Sequence, residues 1–392
     1  MKLTGRLIGM PHTVRLTIHR ATVTTIHDVD TTSDVWICPG LVDIQNNGYH
    51  GYDVRAPDVD EHTIQRLVTA LWEQGVTAVC PTVTTGPEDR IVASLRAIAA
   101  ARRLDPLLAR AIPCAHVEGP HLSAEDGPRG AHDPGSIRPP DTAEFGRWQR
   151  ASGDVVGIVT LAPELPGASR YIDEVVRGGG VAAIGHTAAD PRDVTAAVSA
   201  GARLSTHLGN GAHARIARHP NYIWEQLAQD RLMASFIADG HHLPAATLSA
   251  MVRAKGHGRS ILVSDSVALA GSPPGAYTGP MGAPVELSAD GRLSLAGTDL
   301  LAGAARGLRE CMAWAVYGAG LRLSQVVAMA SANPARLLGG RRISRRSIRV
   351  GGSADLTLVR ADPAREDIEV IATIVGGVIV HRTTDAPIEG AA

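Results

Sequence analysis

Six apolar stretches of this sequence end in side chains able to bind a metal or move a proton. "LVDIQNN" carries Asp43, Gln45 and Asn47, and "IPCAHVEG" ends at Glu118. "VAAIGHT" brings His186 and "RLSTHLGN" His207. "ASFIADG" brings Asp239, with His241 and His242 directly after it, and "ILVSDS" brings Asp265. A polar group at the end of an apolar strand costs free energy unless it is satisfied, so six of them in corresponding positions argue for a common purpose. Glu118, His186 and His207 supply one carboxylate and two imidazoles, a donor set suited to a catalytic Zn²⁺ that keeps an open position. Such an ion makes water acidic near neutral pH. Asp265 is the natural acceptor of that proton and its donor to a leaving group. Singly, each residue has a plainer role: a strand-end histidine is commonly a hydrogen-bonded structural residue, Glu118 can cap the turn after it, and Asp265 can cap a helix. Their joint occurrence favours the metal centre. His12, His19, His27, His62 and His257 read as surface residues, and His213 and His219 stay open.

These residues meet only if the intervening chain brings the strand ends together. Short apolar runs begin near Leu41, Val76, Ile112, Val155, Val181, Arg203, Ala234 and Ile261, most of them separated by helix-like stretches. In "EHTIQRLVTALWEQG", Ile64, Leu67, Val68, Leu71 and Trp72 recur on one helical face and Gly75 ends the run. Eight buried-type strands alternating with helices over about 250 residues predict a (β/α)₈ TIM barrel, whose strand ends ring one face where active sites sit. No glycine-rich phosphate fingerprint follows a strand, which disfavours a dinucleotide-binding open sheet. Residues 1–38 alternate as β-strands, and so does the C-terminal end, "ADLTLVR" and "IEVIATIVGGVIVHR". The expected organisation is a barrel over 39–344 and a small β-sandwich domain from 1–38 plus 345–392. "HDPGSIRPPD" and "GSPPGAYTGPMGAP" read as long loops.

Composition narrows the class of partner. A formal net charge of -1 gives no reason to expect nucleic acid or an anionic membrane. Cys38, Cys80, Cys114 and Cys311 form no CxxC pair and mostly lie in apolar runs, so buried free thiols are expected. "MKLTGRLIGMPHTVRL" lacks the apolar run of a signal peptide, and no stretch approaches the roughly 20 apolar residues of a membrane span. A soluble cytoplasmic protein is the expectation.

Beyond this reading, "PGLVDIQNNG", "HVEGPHLS", "RGAHDP", "GHTAAD", "THLGNGA", "IADGHHL", "LVSDS" and "ASANPARLLG" come in the order seen in the N-acetylglucosamine-6-phosphate deacetylases of the amidohydrolase superfamily. The chain resembles that family over nearly its whole length. The resemblance implies a distorted (β/α)₈ barrel with a β-sandwich from both termini, and a homodimer. It implies metal ligation by Glu118, His186 and His207, and a catalytic base and acid in Asp265. It implies substrate contacts from His132 on the carbonyl side, from His242, and from the backbone of Asn210 and Gly211. The His-x-His that most superfamily members carry on the first strand is here Gln45 and Asn47. Neutral amides are poor Zn²⁺ ligands beside imidazole, so one divalent ion is expected, and neither Lys2 nor Lys255 is placed to bridge two. The substrate loops depart from the family. "THLGNGAHARIARHPNYIW" lacks the family's "REPG" turn, leaving Arg218 for the 6-phosphate with Arg215 a rival. His241 stands where leucine is usual, and "LAGTDLLA" brings Asp299 toward the site. The implied reaction is hydrolysis of N-acetylglucosamine 6-phosphate to glucosamine 6-phosphate and acetate. The alternative is a related amidohydrolase for an unphosphorylated N-acyl sugar, an N-acyl amino acid or a cyclic amide.

Overall fold

The computed structural model describes residues 1–279, 283–340, 342–344 and 346–390. Arg345, where the C-terminal part of the small domain was expected to begin, lies outside them, as do 391–392 and 280–282 of the second long loop. Eight parallel strands follow one another around a barrel: Leu41–Asn46, Val76–Thr84, Ala115–Glu118, Val156–Leu161, Val181–Ile184, Leu204–Ser205, Met233–Ile237 and Ser260–Val263. They are numbered one to eight here. Most of their residues are buried on both faces, as a parallel sheet covered by helices requires. Ile44, Ala78, Ile158, Ala183, Ile237 and Ile261 belong to the core inside the barrel.

The helix Glu61–Glu73 shows how local sequence sets the outer layer. Asp60 caps it, accepting from Thr63 N at 2.7 Å. Ile64, Leu67, Val68 and Leu71 are buried, each worth about 1.5–3 kcal/mol against exposure. Gly75 ends the turn with φ +79°, and a Cβ there would lie 2.6 Å from Thr357 Cγ2. The residue is therefore glycine for two reasons, its backbone angle and the close approach of the terminal sheet.

Strands one to eight pair in sequence, but among the described residues no backbone ladder joins strand eight to strand one. Asp43, fully buried, spans the seam: Oδ2 accepts from Ser264 Oγ at 2.5 Å and Oδ1 from Ser264 N at 3.3 Å. Asn46 Nδ2 donates to Ser266 Oγ at 2.8 Å. At the mouth, Asp265 N donates to Gln45 O and Asn47 N to Ser266 O. Asp43 was grouped by sequence with the chemical residues at strand ends; it is instead the clasp of the barrel.

Both chain ends contribute to one eight-stranded sheet, in which Val35–Pro39 sits between Lys2–Leu7 and Leu356–Asp362. Its core includes Leu16, Ile37, Leu358 and Ile374. The long loop expected from "GSPPGAYTGPMGAP" is in part sheet: Gly275–Thr278 and Pro284–Leu287 begin a four-stranded antiparallel meander completed by Arg292–Leu295 and Leu301–Ala304. Val285, Leu287 and Leu293 alternate inward to give it a small core, a period-two signal hidden among glycines and prolines. "HDPGSIRPPD" holds only the single turn Pro134–Ser136. Among the described residues no helix is long and apolar enough to cross a membrane.

Asp355 ties the terminal sheet to the barrel. Its carboxylate meets Arg110 Nε and Nη2 at 2.7 Å and Arg346 Nη1 at 2.6 Å. Burial opposes this charge, but Arg346 and Arg110 outweigh it and hold the carboxyl well below its usual range. A depressed folded value contributes stability that is present above the unfolded value of about 3.9 and is lost as pH falls below it. Asp355→Asn is therefore expected to destabilise the protein by about 3–5 kcal/mol at pH 7, because it strands two guanidinium groups. Its thermal midpoint should also fall less steeply than that of the parent below about pH 4. Melting curves across pH check both; parallel curves would rule out the tie.

Candidate active site

Glu118 is the last residue of strand three, whereas His186, His207 and Asp265 each stand two residues beyond strands five, six and eight. All three of these have left-handed backbones, with φ of +51°, +29° and +48°. Such conformations cost non-glycine residues about 1–3 kcal/mol each and persist only where surroundings over-determine them. The turn aims each side chain inward over the barrel mouth. His186 is clamped between backbones: a Cβ on Gly211 would lie 2.6 Å from its Nδ1, and one on Gly130 3.3 Å from its Cε1. Gly211, expected to present its backbone to a substrate, thus also makes room for the His186 ring.

Three atoms converge. Glu118 Oε1 lies 2.9 Å from His207 Nε2 and 3.4 Å from His186 Nε2, and the two imidazole nitrogens are 3.1 Å apart. A tetrahedral ion bound at about 2.0–2.1 Å needs neighbouring donors roughly 3.3 Å apart, so the triangle fits one divalent metal ion. Proton bookkeeping agrees. His186 Nδ1 donates to the Pro128 carbonyl at 2.8 Å, so its Nε2 carries a lone pair. His132 Nδ1 lies 2.8 Å from Thr85 Oγ1, and with the hydroxyl donating to it the ring hydrogen is on Nε2, 3.2 Å from His186 Nε2. His132 is thereby a neutral N–H donor beside the metal-ligand set. Gln45 Nε2 donates to Glu118 Oε1 at 2.8 Å and Asn47 Nδ2 to Asp265 Oδ1 at 2.8 Å. Both first-strand amides are thus engaged with carboxylates.

The electrostatics divide the two carboxylates. Burial disfavours the Glu118 charge, but His186 and His207 outweigh it and hold the carboxyl well below its ordinary range. Asp265 is pushed up to about 7 by burial and by the Glu118 charge, against the pull of His207, Asn47 and His242. One stays ionised as a ligand must; the other sits where a general base works near neutral pH. His132 is driven down to about 3 by burial and by His186, which agrees with its neutral form.

Other expected residues divide. His242 is at the mouth, its Nδ1 bonded to Asp239 Oδ2 at 2.7 Å, so Asp239 orients it. Asn210 holds the turn after His207, its N and Nδ2 both donating to His207 O. His241 turns to the meander, its Nε2 3.1 Å from Asp290 O. Asp299 is exposed at a meander turn, and among the described residues only its carbonyl is engaged, by Arg292. It therefore gives no structural support to a carboxylate facing the substrate. Arg215 and Arg218 are exposed on a segment without regular structure. His213, left open by the sequence, links Glu125 Oε2 and Tyr222 Oη, each at 3.0 Å. In "HVEGPHLS", His116 bonds Ile44 O and Thr160 Oγ1 in the barrel core, and His121 packs on Trp148 and Tyr171. Sequence reasoning missed Thr85, the Pro128 carbonyl and the Gln45–Glu118 bond. No local pattern announces them, since each acts across more than forty residues.

Residues 36–380 match the model of the Amidohydrolase family, and the chain belongs to that family of metal-dependent hydrolases acting on carbon–nitrogen bonds. It is 31% identical to the N-acetylglucosamine-6-phosphate deacetylase of Bacillus subtilis, covering 92% of this chain and 88% of that one. It is also 31% identical to the N-acetylgalactosamine-6-phosphate deacetylase of Escherichia coli O157:H7, over 77% of this chain and 78% of that one. The N-acetyl-D-glucosamine-6-phosphate deacetylase of Mycobacterium smegmatis, solved as a variant with N-acetyl-D-glucosamine-6-phosphate, superposes with a TM-score of 0.84 at 28% identity. That match covers 98% of this chain and 99% of the other. Within the amidohydrolases, the chain is a member of the N-acetylglucosamine-6-phosphate deacetylase family.

The geometry makes metal content the direct test. Elemental analysis after dialysis should find a divalent ion in the parent protein and almost none in Glu118→Gln or His207→Ala. Gln45→Ala, which removes no ligand, should weaken affinity by about 10- to 100-fold in chelator competition. A full equivalent retained by Glu118→Gln would exclude that carboxylate from the centre.

Proposed function

We propose that this protein hydrolyses N-acetylglucosamine 6-phosphate to glucosamine 6-phosphate and acetate. The observation that carries the reading is the placement of Asp265, a carboxyl near neutrality, beside the buried triangle of Glu118, His186 and His207. The names of its relatives supply the substrate class. Zn²⁺ is the proposed ion, because two imidazoles and a carboxylate suit it. A single ion is proposed because Gln45 and Asn47 are committed to the two carboxylates. When bound, the ion supplies a Lewis acid for the amide carbonyl and lowers the pKa of a water.

The chain's own residues do the rest. Asp265 accepts the proton of the attacking water as oxygen bonds to the acetyl carbon. Asp265 then returns that proton to the amide nitrogen as the carbon–nitrogen bond breaks, since an unprotonated amide nitrogen is a poor leaving group. His132 offers its Nε2–H to the oxygen on which charge develops. His242, held by Asp239, meets the sugar, and Asn210 and Gly211 border it with backbone. The reading includes a homodimer in which the exposed Arg218 serves a phosphate at the interface. It also includes a cytoplasmic location, where four buried free thiols stay reduced.

Acetate release from N-acetylglucosamine 6-phosphate, from its galactosamine epimer and from unphosphorylated N-acetylglucosamine tests the assignment. Strong preference for the first supports it. Activity on none, with metal bound, would move the search to other acyl amides. Asp265→Asn should keep its metal and lose about 10²- to 10⁴-fold in kcat. Because Asp265 must be ionised to act, kcat/KM should fall as pH drops through its pKa, at or below 7 once a cation is bound. Asn47→Leu removes a hydrogen bond that favours the ionised form, so this acid limb should move to higher pH. An unmoved limb would detach the profile from Asp265.

A further inference from the structure

Arg55 lies in the loop after strand one and is committed to no acid. Asp53 Oδ1 accepts from its backbone N–H at 2.7 Å and fixes the turn. The side chain then reaches to the mouth of strand two, where Nη1 donates to Thr84 Oγ1 at 2.7 Å. A Cβ on Gly86 would lie 3.3 Å from Nη2, so the guanidinium lies along the backbone of 84–86. That backbone belongs to the site: Thr84 is paired with Glu118 across the ladder, and Thr85 holds His132.

Arg110, Arg138, Arg309 and Arg346, also partly or wholly buried, are each paired with a carboxylate. Arg55 is not: among the described residues no carboxylate oxygen comes within 4.0 Å of its guanidinium. Its two acidic neighbours have other partners, Asp53 the Arg55 backbone and Asp133 the Gly135 N–H and Ser136 hydroxyl. The Nε and Nη2 hydrogens have no protein acceptor among the described residues and are not sealed from solvent. A half-buried guanidinium gives up hydration and here recovers one neutral hydrogen bond. Its planar fork suits a phosphate or carboxylate, and it stands on the His132 side of the mouth.

We infer that Arg55 recognises the anionic group of the substrate, a phosphate ester or a carboxylate, and so determines which acyl amides this chain accepts. The inference rests on the hydrolytic reading above, with the phosphate favoured. Arg55→Gln should raise KM for N-acetylglucosamine 6-phosphate by about 10- to 100-fold, the loss of one charge-assisted contact. It should leave kcat within about threefold, and KM for unphosphorylated N-acetylglucosamine unchanged. Arg55→Lys, which keeps the charge without the fork, should fall between. Thr84→Val removes the loop's anchor but not the cation and should spare the phosphate preference.

Equal losses on both sugars, or the same loss in Thr84→Val, would show a loop staple and overturn the inference. So would a preference that collapses in Arg218→Gln and survives Arg55→Gln. If the parent prefers N-acetyl-L-aspartate to the sugars and Arg55→Gln removes that preference, the anion is a carboxylate and the inference holds. If the parent turns over none of these, the proposed reaction has failed and binding decides alone. Inorganic phosphate or acetate should then raise the thermal midpoint of the parent more than that of Arg55→Gln, and equal shifts would overturn the assignment.

Discussion

The charge of Glu118 is the constraint around which the mouth of the barrel is built. An ionised carboxylate with almost no exposed surface is tolerated only when other groups supply what water would have supplied. One oxygen, Oε1, receives an amide hydrogen from strand one and faces imidazoles from the ends of strands five and six. Each donor comes from a different part of the chain, so the carboxylate is satisfied only when the barrel is complete. The same charge raises Asp265 toward neutrality. Two carboxyl groups of similar intrinsic acidity are thus driven apart by their surroundings, one held ionised and the other brought near neutrality, as the proposed ligand and base require.

Much of this was legible in the sequence, for a definable reason. Strand period, helix faces and the polar residue after each apolar run are local signals, and a parallel barrel converts sequence order into spatial order. Glu118, His186, His207 and Asp265 therefore stand out in the sequence alone. Residues that act across the barrel could not. Nothing local marks Asp43 as a clasp for Ser264, or Thr85 as the partner of His132. The meander was read as loop because glycine and proline outweighed a short alternation. His241 and Asp299 were drawn toward the site by their neighbours in sequence, yet both are engaged on the meander.

The loops around the mouth carry the cationic side chains that the strands do not. The segment after His207 lacks regular structure and leaves Arg215 and Arg218 exposed, while Arg55, from the loop after strand one, holds open donors at the mouth of strand two. The proposed chemistry sits at the mouths of strands held by the barrel, and the proposed selectivity sits on loops that can be exchanged around them.

The seam between strands eight and one has a consequence for heredity. The other seven contacts between neighbouring strands are backbone ladders. Every residue except proline supplies the same N–H and C=O, so a ladder is nearly blind to which amino acid occupies it. Below the mouth, the eighth contact is written in side chains, by Asp43, Asn46, Ser264 and Ser266. It is the one joint of the barrel that point substitution can readily rewrite. Asp265 stands between Ser264 and Ser266 and its N–H bonds Gln45 O, so variation in the clasp is a route by which substitution can reposition that carboxyl without replacing it.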